Sequence, residues 1–243
     1  MKPLASLVTE VLDQSGYREN PYFTALASGS FEREDFLETQ IQFFFAVVFF
    51  NRPMAAVAAK IPTAKQRVEV LRNVWEEHGE GNASLMHGET FLELLNRMGK
   101  IEKADVDRRA LWPEVRAFNT ALVGACVNDE FLVGVAVLGI IERMFVDISQ
   151  WIGRGIVDRG FLSADRMIHY KLHETLDVKH SQDFFDILEP RFESSEEDRY
   201  YISQGLWLGA YIFDRLYRDL HRARCRRSLL ADGLVLTAHT RSV

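Results

Sequence analysis

Apolar residues return every three or four positions along nearly the whole chain, the mark of helices that turn one face to a core. Stretches of this kind run over 4–12, 32–60, 63–77, 84–98, 113–127, 130–152, 163–187 and 195–224. No segment alternates with period two for more than a few residues, so no sheet is expected. Pro53 lies inside the second stretch and predicts a kink or split there. Gly29, Gly99, Gly160 and Pro190 punctuate the joints. The expectation is an all-α bundle of seven to nine helices.

Three places depart from simple core-and-surface patterning. The run 131–141 is apolar on every face, which marks a helix buried all round. Glu142 follows it directly and precedes Met144, Phe145 and Val146. A carboxylate there needs a partner to offset its desolvation, either an arginine such as Arg143 or a cation that it bridges. The second place is the stripe His173, Asp177 and His180, spaced i, i+4 and i+7 on one helical face. Two imidazoles and a carboxylate so placed form half of a transition-metal site, although solvated polar faces produce the same spacing. The third is the cluster 76–87, with Glu76, Glu77, His78, Glu80 and His87. Gly79 and Gly81 interrupt the helix there, and Asn82 or Ser84 can cap the next one. Glu77 and His87 would then sit on two adjoining helical pieces, as ligands or as parts of a solvated acidic turn.

Composition narrows the setting. With 243 residues, 47% of them apolar, the chain can bury one large core. Nothing reads as a linker, so a single domain over 1–243 is expected. A net charge of −6 argues against nucleic acid as a partner. The basic residues from Arg215 to Arg227 are read as a solvated helix end, where cations offset the macrodipole. Two cysteines without a Cys-x-x-Cys motif suit a reducing cytoplasm. The first residues lack the apolar core of a signal peptide. The aromatic run 43–50 is much shorter than the ~20 residues that span a bilayer, so it is read as core or pocket wall and no membrane is expected.

Taken together, a glutamate, a histidine ten positions on, a glutamate in an apolar helix and then His-x3-Asp-x2-His resemble the ligand pattern of the haem-oxygenase-like dimetal oxidases. The matching positions are Glu77, His87, Glu142, His173, Asp177 and His180, and the order of helices agrees along almost the whole chain. Within that family the chain is similar to the Chlamydia protein associating with death domains, but its Glu-to-His spacing is closer to that of the N-oxygenase branch. Glu80 is an alternative to Glu77. The resemblance implies a bundle of about seven core helices that binds two Fe(II), or one iron and one manganese, and uses O2 on a small-molecule substrate. It also leaves room for an external electron donor and a homodimer. The Glu-x-x-His signature of ferritin-like di-iron proteins occurs nowhere in the chain.

Which oxidation follows is narrowed by absences. The Chlamydia relative makes p-aminobenzoate from a tyrosine and a lysine of its own chain, and the corresponding positions here hold Phe23 and Ile152, with Tyr22 beside the first. The N-oxygenase branch adds a carboxylate from the preceding helix, where only Glu69 is offered. Oxidation, desaturation or carbon–carbon cleavage of an amino-acid-like or fatty-acid-like compound is therefore the expected reaction. Tyr22, Phe23, Arg52, His169 and Tyr170 are candidate pocket residues. The same fold also hosts cofactor-free pyrroloquinoline-quinone oxidases and TenA-type hydrolases, for which Cys126 is the one candidate nucleophile. Because they flank the glycine-rich joint or lie in or beyond the basic C-terminal helix, His78, His221 and His239 are expected to play no metal role.

Overall fold

The computed structural model describes residues 3–230, the side chains of residues 174 and 175 excepted. His239 lies outside the described residues. Ten α-helices occur among them: α1 Leu4–Gln14, α2 Pro21–Ser28, α3 Arg33–Lys60, α4 Ala64–Glu77, α5 His87–Gly99, α6 Lys103–Asp107, α7 Pro113–Val123, α8 Phe131–Asp158, α9 His169–Ser194 and α10 Glu196–Ala223. No strand is present among the described residues, only an isolated antiparallel bridge between Arg109 and Leu229. The architecture is the all-α bundle that the periodicity predicts.

The middle of the molecule is α8. It is buried on every side along most of its length and packs on α9, α10, α3 and α2. Glycines allow the close approaches. A Cβ on Gly205 of α10 would stand 2.5 Å from the Val133 carbonyl oxygen, and one on Gly139 of α8 would stand 3.0 Å from Phe184 Cβ of α9. Glu142 lies one turn beyond Gly139, so this contact brings the carboxylate against α9.

Helix ends follow their caps. Asn20 accepts from the Tyr22 amide, Pro21 occupies the first turn of α2, and the Asn20 amide donates to both the carbonyl and the carboxylate of Asp214 on α10. Ser195 caps α10 through the Asp198 amide, ahead of three acidic residues that complement the macrodipole.

Some expected boundaries shift. The break at Pro53 is absent, since α3 runs unbroken to Lys60, and α9 passes through Pro190 to Ser194. In α3, the flanking Met54, Val57 and Ala58 are core residues whose packing outweighs the amide that proline lacks. The stretch 113–127 ends as an α-helix at Val123 and continues as a π-turn over Gly124–Asn128. The short helices α2 and α6 were not marked by periodicity.

By length and composition α3 would cross a membrane, with a mean hydropathy of 1.5 over its most apolar window. Half of that window is buried in the bundle. Its Glu38, Gln40 and Gln42 make buried polar contacts with Arg109, Tyr22, Tyr170, Trp112 and Ala110. Here α3 is a core helix.

Candidate metal centre

Four helices converge on one cluster of buried donor atoms. Glu77 closes α4, His87 opens α5, Glu142 sits mid-way along α8, and His173, Asp177 and His180 share one face of α9. All six are at least 95% buried. One oxygen each of Glu77 and Glu142 and one nitrogen of His180 lie within 4.8 Å of one another, a spacing that a single cation can bridge.

The hydrogen bonds around the cluster determine which atoms remain free. Both oxygens of Asp177 lie 2.8 and 3.0 Å from His173 Nδ1, which leaves His173 Nε2 without a partner. His180 Nε2 donates to Glu76 at 2.7 Å, while its Nδ1 stands 3.8 Å from Asp177 and 4.0 Å from Glu142. His87 Nδ1 approaches Glu77 Oε2 to 2.9 Å, but out of line for a hydrogen bond. Nδ1 of His87 and of His180, Nε2 of His173 and Oε1 of Glu142 are all buried and make no hydrogen bond. Orphaned donors normally cost about 1–3 kcal/mol each. Nitrogen and oxygen lone pairs facing one another across a buried gap suit first-row metal ions, so the residues fit the dimetal site that the resemblance implies.

The electrostatics agree. Burial raises the Glu142 carboxyl well above its ordinary value, and Asp177 and Glu77 beside it push the same way, so its charged form is disfavoured without a cation. Burial would also raise Glu77, but His87, His173 and His180 outweigh it and hold Glu77 at about 2. His173 rises because Asp177 overcomes burial. His169 is held well below its ordinary value by burial and by the His173 and His87 rings.

The cluster floors an apolar pocket lined by Phe43, Ala46, Val47, Phe50, Phe118, Ile141, Phe145 and Phe213, with His169 on its wall. Its cavity volume is about 50 Å³, room for ions and a few waters. Val47 and Phe50 on its wall are both half-buried. The aromatic run 43–50 thus contributes to the pocket wall.

Other sequence candidates fall elsewhere. Glu80 is exposed on a left-handed residue of the turn, so Glu77 and not Glu80 reaches the cluster. Gly79 and Gly81 have φ of 64° and 85°, and a Cβ on Gly79 would stand 2.7 Å from the backbone of Leu85. The turn therefore requires glycine. Arg52 is exposed on the far side of α3 over the Phe49 ring and does not line the pocket, because a nine-residue step from Phe43 turns the helix by half a circle.

Tyr22, Phe23 and Tyr170 also lie outside the lining. The Tyr217 ring stands between Phe43 and both Tyr22 and Phe23. Tyr170 packs behind Phe145 and Phe91. Its hydroxyl donates to Gln40 at 2.5 Å, Gln40 donates to Tyr22, Tyr22 pairs with Thr39, and Thr39 donates to the Phe36 carbonyl. His78 lies against the Val74 carbonyl and His221 against the Phe31 ring. Cys126 is buried in the π-turn, and burial pushes its thiol up to about 12, a poor nucleophile.

Two contributors escaped the sequence reading. Glu76 orients His180, and Thr90 on α5 contacts His169 at 3.1 Å. Each works through a contact between distant helices that local spacing does not reveal.

Comparison with known proteins agrees with this arrangement. A family model described as iron-containing redox enzyme matches residues 37–213. A 4-aminobenzoate synthase of Nitrosomonas europaea is 25% identical, with 96% of each chain covered. Among solved structures, a CADD-like protein of unknown function from Nostoc punctiforme superposes with a TM-score of 0.71 at 13% identity, covering 92% of this chain and 97% of that one. A TenA homologue from P. horikoshii gives 0.72 at 14% identity, covering 91% and 99%. The fold is haem-oxygenase-like.

Proposed function

Because this chain belongs to the iron-containing redox enzyme family, we propose that Glu77, His87, Glu142, His173, Asp177 and His180 hold two Fe(II), or one iron and one manganese, for O2-dependent oxidation of a small organic substrate. The observation that carries this reading is the buried group of Glu77, Glu142 and His180 donor atoms within 4.8 Å of one another, beside atoms of His87 and His173 that make no hydrogen bond. When bound, such ions supply the redox chemistry that reduces O2.

The protein's own groups do the rest. Glu142 gives up its proton to become a ligand, and Glu77 is ionised beforehand. Glu76 keeps a proton on His180 Nε2, so that Nδ1 presents its lone pair to the centre. The aromatic wall excludes water and confines an apolar substrate beside the ions. A two-electron oxidation of that substrate leaves O2 short of two electrons for full reduction, so the reaction draws on an external electron donor.

A second reading comes from the Nitrosomonas relative, named as a 4-aminobenzoate synthase. Against its self-sacrificing form, no lysine is buried among the described residues, and Ile152 fills the donor position. The test is anaerobic loading with Fe(II), metal counting, and O2 uptake with amino-acid-like and fatty-acid-like compounds. Two ions per chain and substrate-dependent O2 uptake are expected. A purified chain that takes up neither iron nor manganese overturns the reading in favour of a cofactor-free enzyme. Rescue of a p-aminobenzoate auxotroph that Tyr22→Phe abolishes would favour the second reading.

A further inference from the structure

We propose that His169 is a fixed hydrogen-bond acceptor on the pocket wall and selects an apolar substrate that carries an N–H or O–H. This rests on the proposed function and names the substrate chemistry that the same site admits. His169 opens α9 one turn before His173, is wholly buried, and lines the pocket. It is not one of Glu77, Glu142 and His180, whose donor atoms lie within 4.8 Å of one another. Its ring centroid is 4.4 Å from that of His173 and 6.0 Å from that of His87. The wall on which it sits is otherwise made of phenylalanine and aliphatic side chains.

The direction of its hydrogen bonds follows from counting protons. Thr90 Oγ1 has one, and we assign it to the His87 carbonyl, an acceptor at 3.1 Å three residues back on α5. Toward His169 Nδ1, also at 3.1 Å, the hydroxyl can then only accept. Nδ1 therefore carries the ring proton, and Nε2 holds a lone pair. That Nε2 is buried and has no partner in the protein. A ligand that offers a donor satisfies it, whereas an isosteric ligand without one leaves it stranded, a difference that polar sites convert into strong discrimination. The proton of Thr90 thus sets the polarity of a group two residues deep in the wall. Thr90 is a positioning residue, and His169 is the specificity determinant.

Pyrrole and furan form a matched pair of probes, equal in shape and differing in one N–H. Their binding to anaerobic, Fe(II)-loaded protein is measured by calorimetry. Wild type should prefer pyrrole by about tenfold or more. His169→Phe should bring the ratio near one while the metal content stays at the wild-type value, and Thr90→Val should weaken the preference with metal retained. Equal binding of both probes by the wild type, or no binding of pyrrole, overturns the inference and leaves the metal reading standing. The same preference in His169→Phe also overturns it. Loss of an ion in His169→Phe would place His169 among the ligands and overturn it too. Failure of the wild type to take up metal at all strikes the proposed function instead, and the pyrrole-to-furan ratio of the metal-free protein then decides this inference on its own.

Discussion

The two halves of the donor cluster are built in opposite ways. Glu142 and the α9 stripe come from long helices that approach closely at Gly139, and α8 is buried on every side along most of its length. Glu77 and His87 come from the ends of α4 and α5, joined by two short 3₁₀ turns in which Gly79, Glu80 and Gly81 all have positive φ. Leu85 and Trp75, which flank that joint, are both exposed. All six side chains are buried, but one half is carried by two long helices, while the other hangs on a strained turn with little core of its own. The comparison teaches that a buried site can combine a rigid frame with a hinged flap, so that metal binding becomes local folding energy on one side only.

The strongest test removes the rigid half. Glu142→Ala should abolish metal uptake, read by elemental analysis, while the helical circular dichroism remains. The metal-free protein should even gain from Glu142→Gln as pH rises. A carboxyl whose folded value is raised contributes stability below its unfolded value, and loses it as pH climbs through the folded one. The wild-type apo protein therefore weakens as pH rises above the ordinary carboxyl range, and the amide variant, which does not ionise, should melt at a higher temperature there. Metal affinity runs the other way. Binding displaces protons from Glu142 and His173, so affinity should rise with pH in titrations.

Next in size is the contrast itself. Hydrogen exchange with and without Fe(II) should slow over 76–87 by about tenfold or more, against little change over 132–146. Equal protection of 76–87 in both states would mean that the flap is preformed. Glu76→Ala should weaken metal binding about 10- to 100-fold, the usual cost of losing a carboxylate behind a histidine ligand, with little effect on melting. Smallest for the metal, but clear in stability, is Gly205→Ala. It should cost about 1–3 kcal/mol by forcing α10 off α8, and denaturant unfolding measures it.

The sequence made one half of the cluster far easier to see than the other. His173, Asp177 and His180 were legible because helical spacing alone places them on one face, and Glu142 because a carboxylate after eleven apolar residues needs a partner, an arginine or a cation. The resemblance favoured Glu77 but left Glu80 open as a substitute, since the choice depends on backbone signs in a turn that only glycine-rich geometry sets. Arg52 was misplaced although the helical wheel of α3 already points it away from Phe43. Pro53 and Pro190 were read as breaks because local propensity ignores the packing that carries both helices through them. Glu76 and Thr90 stayed hidden because their partners lie about 100 and 80 residues away in the chain.

The hydroxyl chain behind the pocket has a consequence for damage control. Its donors all point the same way: Tyr170 to Gln40, Gln40 to Tyr22, Tyr22 to Thr39, and Thr39 to the Phe36 carbonyl. A phenol yields an electron readily only when something nearby accepts its proton. Tyr170 faces an amide oxygen and Tyr22 a hydroxyl whose proton is already committed, and neither is a base. Tyr217, closer to the wall than Tyr22, has no hydrogen-bond partner for its hydroxyl, so the phenols nearest the site are insulated against stray oxidising equivalents. Tyr17 differs, because its hydroxyl donates to the Asp147 carboxylate at 2.5 Å. Among the buried tyrosines it is the one wired to lose an electron, so escaped oxidation would leave its scar there, at the bundle's rim, and spare the wall that shapes the substrate.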